Sequence, residues 1–309
     1  MSGEQVAKNL WRTEGGLYET DVHGVIRCGT GSDGDHPPKY RFLYMPMRNR
    51  GEIIRLILEE ARVPYEVEVV GWLNWVGDAN SSCGGVKATT PHGKCPVLRI
   101  ADGGIDGDVG FDVSQEGAIT RYLANELGLS GRTPAERAEV DSLYCLWFAT
   151  FRNNGISHDG EQFSIAALRA AARGDEGGSQ PLRRPRYEDV QRLQATSDYG
   201  RAERSLMVLD FFEQQLKRTG SGWLVGTGCT YVDLGLFYIL FELSEVDNVP
   251  DFDERFGLPL LGEFVREVSN RPHIKDYINS PRRMPRYSRA ETGKSLYTYV
   301  EGKGSPRIS

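Results

Sequence analysis

The chain has no excess of positive charge. Its 309 residues carry 37 Lys and Arg against 43 Asp and Glu, a formal charge of −6. A nucleic-acid binder normally needs a clustered basic surface, so this balance argues against that class. No apolar run approaches the 18 or so residues that a membrane-spanning helix needs. Residues 1–10 hold one Lys, one Glu and no apolar core, unlike a secretory signal. The five cysteines, Cys28, Cys83, Cys95, Cys145 and Cys229, form no CxxC pair. An odd, scattered count reads as reduced thiols in a cytoplasmic compartment, neither a disulfide framework nor a zinc site. The five histidines are equally dispersed, so no metal site is expected. The Gly-Ser-Asp and Gly-Asp-Gly runs lack a following Lys-Ser or Lys-Thr, which excludes a phosphate loop.

What the chain does have in excess is glycine, 36 in all, above the usual share of about 7%. The glycines and prolines gather in five stretches: the N-terminal segment up to Pro38, residues 77–85, residues 103–110, residues 155–185, and the tail from Pro281. These read as loops or extensions with too few apolar residues to build a core.

Between them the hydrophobic period is clear. Residues 40–44 read as a strand. Residues 50–61 follow, with Ile54, Ile57, Leu58 and Ala61 on one helical face, stopped by Val63-Pro64. Residues 65–70, 96–100 and 110–113 read as further strands, and 116–126 as a helix with Ala118, Ile119, Tyr122 and Leu123 together. Thr133-Pro134-Ala135-Glu136 is a capping box with proline at the first helical position. It opens a long helix carrying Leu143, Leu146, Trp147 and Phe151. Thr230 and Asp233 form a second cap before 234–243, which is apolar nearly all round and so reads as a buried central helix. The expected division is an extension over 1–39, an α/β domain over 40–127, an all-α domain over 133–287 with an insertion near 155–190, and a basic tail over 288–309.

Three blocks carry a family resemblance. They are Tyr40-Arg-Phe-Leu-Tyr-Met-Pro-Met-Arg-Asn-Arg-Gly-Glu52, then Pro91-His-Gly-Lys-Cys-Pro-Val-Leu98 with Ser114-Gln-Glu-Gly-Ala-Ile-Thr-Arg-Tyr-Leu123, and Trp223-Leu-Val-Gly-Thr-Gly-Cys-Thr-Tyr-Val-Asp-Leu234. In this order and spacing the chain resembles the cytosolic glutathione transferases of the tyrosine type, nearest to the sigma-like group. The resemblance implies a thioredoxin-like first domain, an all-α second domain, a homodimer, glutathione as cosubstrate and a role in detoxification.

It also assigns roles. Tyr44 matches the family's catalytic tyrosine, whose O–H stabilises the thiolate; Arg50 adds positive field beside it. Read alone, Tyr44 would simply end a buried strand. Cys95-Pro96 matches the family's cis bond, which offers the Cys95 backbone to the cysteinyl part of glutathione. Trp75, with Trp72 as the competing choice, and Lys87 and Lys94 match residues at the glycyl end, although an insertion over 76–86 separates Trp75 from Lys87. Gln115 and Glu116 open the helix where the family has Gln-Ser and seats the γ-glutamyl carboxylate. A glutamate there repels that group: two like charges about 4 Å apart cost about 1 kcal/mol in water and several when desolvated. Asp141 matches an acidic residue that reaches the glutamyl amine across the dimer interface; by itself it reads as an exposed helix charge.

Tyr144, Trp147, Phe148 and Phe151 read either as core or as the wall of a pocket for an apolar electrophile. The segment from Pro281 holds seven Lys or Arg against two Glu, a solvated tail or a dock for an acidic protein partner. Two functions follow. One is a transferase joining glutathione to an apolar electrophile, or a glutathione-dependent isomerase. The other is a non-catalytic scaffolding subunit that keeps the fold.

Overall fold

The structure is a computed structural model and describes residues 23–29, 38–77, 85–101, 110–152, 165, 167–169, 172, 198–246, 248–280 and 282–284. In chain order the elements are β1 (His23–Cys28), β2 (Tyr40–Tyr44), α1 (Asn49–Glu60), β3 (Tyr65–Val70), α2 (Trp72–Val76), β4 (Val97–Ile100), β5 (Phe111–Ser114) and α3 (Glu116–Glu126). Then come α4 (Pro134–Trp147), a π turn (Phe148–Arg152), α5 (Asp198–Thr219), α6 (Tyr231–Leu243), α7 (Phe252–Phe256), α8 (Pro259–Ser269) and α9 (Pro272–Ile278). The described residues up to Leu127 and from Pro272 onward form one compact unit; those from Gly128 to Arg271 form another.

The first unit is built on a five-stranded mixed sheet in the order β1-β3-β2-β4-β5. β2 and β3 run parallel, so the chain between them must cross over, and α1 is that crossover. β4 and β5 follow as antiparallel neighbours. Alternation sorts β3: Tyr65, Val67 and Val69 face α1, while Glu66 and Glu68 point the other way. Both glutamates are buried and are matched across strands. Glu66 lies between Arg27 of β1 and Arg41 of β2, at 3.3 and 2.7 Å. Glu68 pairs with His23 at 3.0 Å and Arg99 at 3.4 Å.

β1 lies inside the segment expected to be an extension. It pairs antiparallel with β3 over six residues, bringing Arg27 and His23 to the two carboxylates and burying Ile26 and Cys28. Gly29, which ends it, has a φ of +84°, and a Cβ there would stand 2.4 Å from the Val63 carbonyl oxygen. Only glycine fits.

The sheet unit also reclaims the segment from Pro272, which the sequence assigns to the helical domain. The cause is electrostatic. α1 buries Glu52, Arg55 and Glu59, and buried charge demands partners. Tyr277 of α9 donates its hydroxyl to Glu52 at 2.9 Å and Arg283 meets Glu52 at 3.1 Å. Arg282 pairs with Glu59 at 3.2 Å, beside the Tyr65 hydroxyl at 2.8 Å. Desolvation pushes the Glu52 carboxyl up, but Arg283 and Arg55 more than offset it and hold it below the usual carboxylate range.

In the second unit α6 is the central helix, buried along nearly its whole length. Asp233 accepts from the Leu224 N–H at 2.9 Å, the Thr230 N–H at 2.8 Å and the Thr230 hydroxyl at 2.6 Å. Burial nevertheless pushes its carboxyl up to about 6, with those bonds pulling back. At α4 the Thr133 hydroxyl accepts the Glu136 N–H at 3.1 Å. The Glu136 carboxylate reaches one residue further than a capping box requires, accepting the Arg132 N–H at 2.7 Å. Glu213 of α5 caps α8, accepting from Leu260 and Leu261 at 3.0 and 2.9 Å. Among the described residues no helix is long and apolar enough to cross a membrane.

Candidate functional site

Three strands of the first unit end side by side. In the register Leu43 pairs with Val97 and Val97 with Ser114. The next residues outward, Tyr44, Pro96 and Gln115, therefore share one end of the sheet. Arg50, the second residue of α1, links the Tyr44 strand end to the head of α3. Its backbone N–H donates to the Tyr44 hydroxyl oxygen at 3.2 Å, and its guanidinium meets the Glu116 carboxylate at 3.2 Å.

The parts are held from behind. Tyr44 is 4% exposed, and its ring stacks on Phe42 with centroids 5.9 Å apart. Gly51 lets α1 close on that ring: a Cβ there would lie 2.7 Å from Tyr44 Cδ1. Sequence reasoning missed Gly51. Its signal was a glycine inside an amphipathic helix, which costs about 1 kcal/mol relative to alanine and so calls for a packing reason.

The Cys95–Pro96 bond is cis. Desolvation pushes the partly buried Cys95 thiol up to about 12, while Arg50 and Lys94 pull it down. A thiol so placed stays protonated near neutral pH and is no nucleophile. Those same two cations set a positive field at the strand ends. Gln115 is exposed and has a φ of 78° and ψ of 125°. For a residue with a Cβ this conformation costs about 1–3 kcal/mol, the kind of strain that gathers at ligand clamps. It turns the chain from β5 into α3, whose first residue is Glu116, 2% exposed.

Trp75, Lys87 and Lys94 lie along the stretch of chain that leads into Pro96. The insertion leaves and returns at one point, because a Cβ on Gly85 would stand 2.6 Å from the carbonyl oxygens of both Asn74 and Trp75. Trp75 is buried, whereas Lys87 and Lys94 are exposed. The Lys87 stem runs beside Gly93. The Trp72 side chain and residues 78–84 lie outside the described residues.

Asp141 belongs to the helical unit, where it accepts the Tyr231 hydroxyl at 2.8 Å. The aromatic stripe beside it is core at Tyr144, Trp147 and Phe151, each no more than 1% exposed, and only Phe148 is half-buried. A groove of about 580 Å³ opens elsewhere in that unit, lined by Leu216, Trp223, Leu260 and Phe264. It contains none of the expected site residues.

Chemically, the sheet end suits a thiol. A phenol oxygen that accepts an N–H tolerates negative charge and is the stronger O–H donor to an anion. The Arg50 guanidinium lies on Glu116 at 3.2 Å, at the head of the helix that follows β5.

A mixed sheet carrying a tyrosine, a cis-proline and a helix head at one end, followed in sequence by an all-α unit, defines the glutathione-transferase fold. The family model for the C-terminal domain of glutathione S-transferases matches residues 179–281. Glutathione S-transferase 1 of Ascaris suum is 28% identical over 243 residues, covering 78% of this chain and 96% of that protein. Probable glutathione S-transferase 7 of Caenorhabditis elegans is 31% identical over 195 residues, 63% of this chain and 75% of that protein. Among solved structures, a nematode-specific glutathione transferase of C. elegans superposes with a TM-score of 0.54 at 25% identity, covering 79% of this chain and 97% of that one. The chain belongs to the cytosolic glutathione S-transferase family.

Proposed function

We propose that this chain is a glutathione transferase. Glutathione lies along the sheet end with its thiol at Tyr44, and the thiolate adds to an apolar electrophile. The observation that carries this reading is the Tyr44 hydroxyl fixed by the Arg50 N–H at 3.2 Å. A free thiol has a pKa near 8.5, so about one in thirty is ionised at pH 7. Donation from Tyr44 and the field of Arg50 favour the anion and raise that share. Trp75, Lys87 and Lys94 hold the glycyl carboxylate, the Cys95 backbone pairs with the cysteinyl segment, and Gln115 contacts the glutamyl end. Isomerisation is the sister activity, since it uses the same thiolate and returns it.

The same reading makes the chain a cytoplasmic homodimer acting in detoxification, with Asp141 of one copy serving the glutamyl ammonium in the other. Extensions and insertions leave room for protein partners. The second reading, a scaffolding subunit without catalysis, is favoured by one observation: Glu116 occupies the head of α3 with a carboxylate. Thiol conjugation to a chloronitrobenzene decides between them. Wild type should be active and Tyr44→Phe should lose most of the rate. An inactive wild type that also gives no heat on titration with millimolar glutathione would leave only the scaffold.

A further inference from the structure

The substitution at the head of α3 changes the charge requirement of the whole site. Glu116 is the first residue of the helix, where unpaired N–H groups and the helix dipole already favour an anion. Its side chain is 1% exposed, and Arg50 is a partner at 3.2 Å. The same arginine, through its backbone, holds the Tyr44 hydroxyl. One residue therefore serves both the glutamate and the expected thiolate.

Counting charges shows the consequence. With a serine at this helix head, bound glutathione would bring a glutamyl carboxylate, a glutamyl ammonium and a thiolate to one guanidinium, a sum of zero. With Glu116 the same ligand leaves one uncompensated negative charge in a largely desolvated place, which is costly. A cysteinyl peptide with the ammonium but without that carboxylate restores the sum to zero. Glu116 then supplies from the protein the carboxylate that the ligand lacks.

Building on the proposed thiol-transfer reading, we propose that Glu116 is a specificity-determining residue that turns this end of the site into a cation seat. The chain therefore prefers a cysteinyl peptide whose amino end bears an ammonium and no carboxylate over glutathione itself. The Arg50–Glu116 pair is the unliganded state of that seat. An arriving ammonium takes over Glu116 and releases the guanidinium toward the thiolate.

The test uses two probes with a free thiol, glutathione and the same peptide with the γ-glutamyl residue replaced by γ-aminobutyryl, at pH 8.5, where about half of the free thiol is already ionised. Both are titrated calorimetrically into the full chain, its Glu116→Ser variant and its Glu116→Gln variant. Wild type should bind the γ-aminobutyryl peptide about tenfold tighter or better, the scale of one desolvated like-charge contact. Glu116→Ser should reverse the preference, and Glu116→Gln, which keeps the side chain's size, should at least abolish it. If Glu116→Ser fails to fold, Glu116→Gln decides. A wild type that prefers glutathione, or a preference that neither substitution moves, overturns the inference while the transferase reading stands. If no variant binds either peptide, both fall.

Discussion

Gly51 tests whether the position of Tyr44, and not merely its presence, matters. In Gly51→Ala the new Cβ stands 2.7 Å from Tyr44 Cδ1 and 3.1 Å from both terminal guanidinium nitrogens of Arg55. Carbon atoms prefer about 3.5–4.0 Å, so something must retreat by about 1 Å. Arg55 is poorly able to move: it is 1% exposed and donates to the Met47 carbonyl at 3.2 Å and to Glu52 at 3.3 Å. The displacement therefore falls on the Tyr44 ring. Its oxygen accepts the Arg50 N–H at 3.2 Å, already at the long end for such a bond, and a further ångström breaks it. A misplacement of that size costs on the order of 100-fold in catalysis. Overpacking costs about 1–3 kcal/mol, and alanine recovers about 1 kcal/mol of helix propensity. The melting temperature should then fall by no more than about 8 °C. Conjugation kinetics and thermal melts of the same samples measure both. Wild-type kcat/KM in a folded variant would refute the reasoning, as would an activity loss explained by unfolding at the assay temperature.

Three further outcomes follow. The Asp233 carboxyl should titrate near pH 6 by carbon NMR, because burial outweighs its three hydrogen bonds. A folded-state value above the unfolded one makes this group's stabilisation complete below about pH 4 and lost as pH rises through about 6, a swing of about 3 kcal/mol; titration below pH 4 would reverse the sign. Arg283→Met should destabilise by about 3 kcal/mol in urea unfolding, since Glu52 keeps its burial and loses a partner; a change under 1 kcal/mol would mean that the C-terminal segment is not held by this pair. Cys95→Ser should keep kcat/KM within roughly threefold, because a thiol pushed up to about 12 does no chemistry; a large loss would give that sulfur a role.

The local pattern carried a good part of this architecture. Alternation gave Tyr65 to Val70, the 3.6-residue period gave α1 and α3, and Thr230 and Asp233 marked the start of α6. The Tyr44, Cys95-Pro96 and Gln115-Glu116 motifs lie at strand and helix ends, so a correct strand order suffices to bring them together. Contacts distant in sequence were not legible. Arg283 and Glu52 are 231 residues apart, and nothing near either announces the other, so the packing of residues from 272 onward with the sheet unit is not legible in the sequence. β1 was hidden by the glycines around it, although Ile26 and Cys28 alternate as a strand should. Glu116 was legible as a departure, but its partner was not, because Arg50 already had a role beside Tyr44.

The central claim is that the Tyr44 hydroxyl stabilises a bound thiolate. Its most direct measurement is the ultraviolet thiolate absorbance of glutathione bound to the chain, followed against pH in wild type and in Tyr44→Phe. The bound thiol should ionise well below the free value of about 8.5 in wild type and return toward it in the variant. Identical titrations in the two proteins would contradict it.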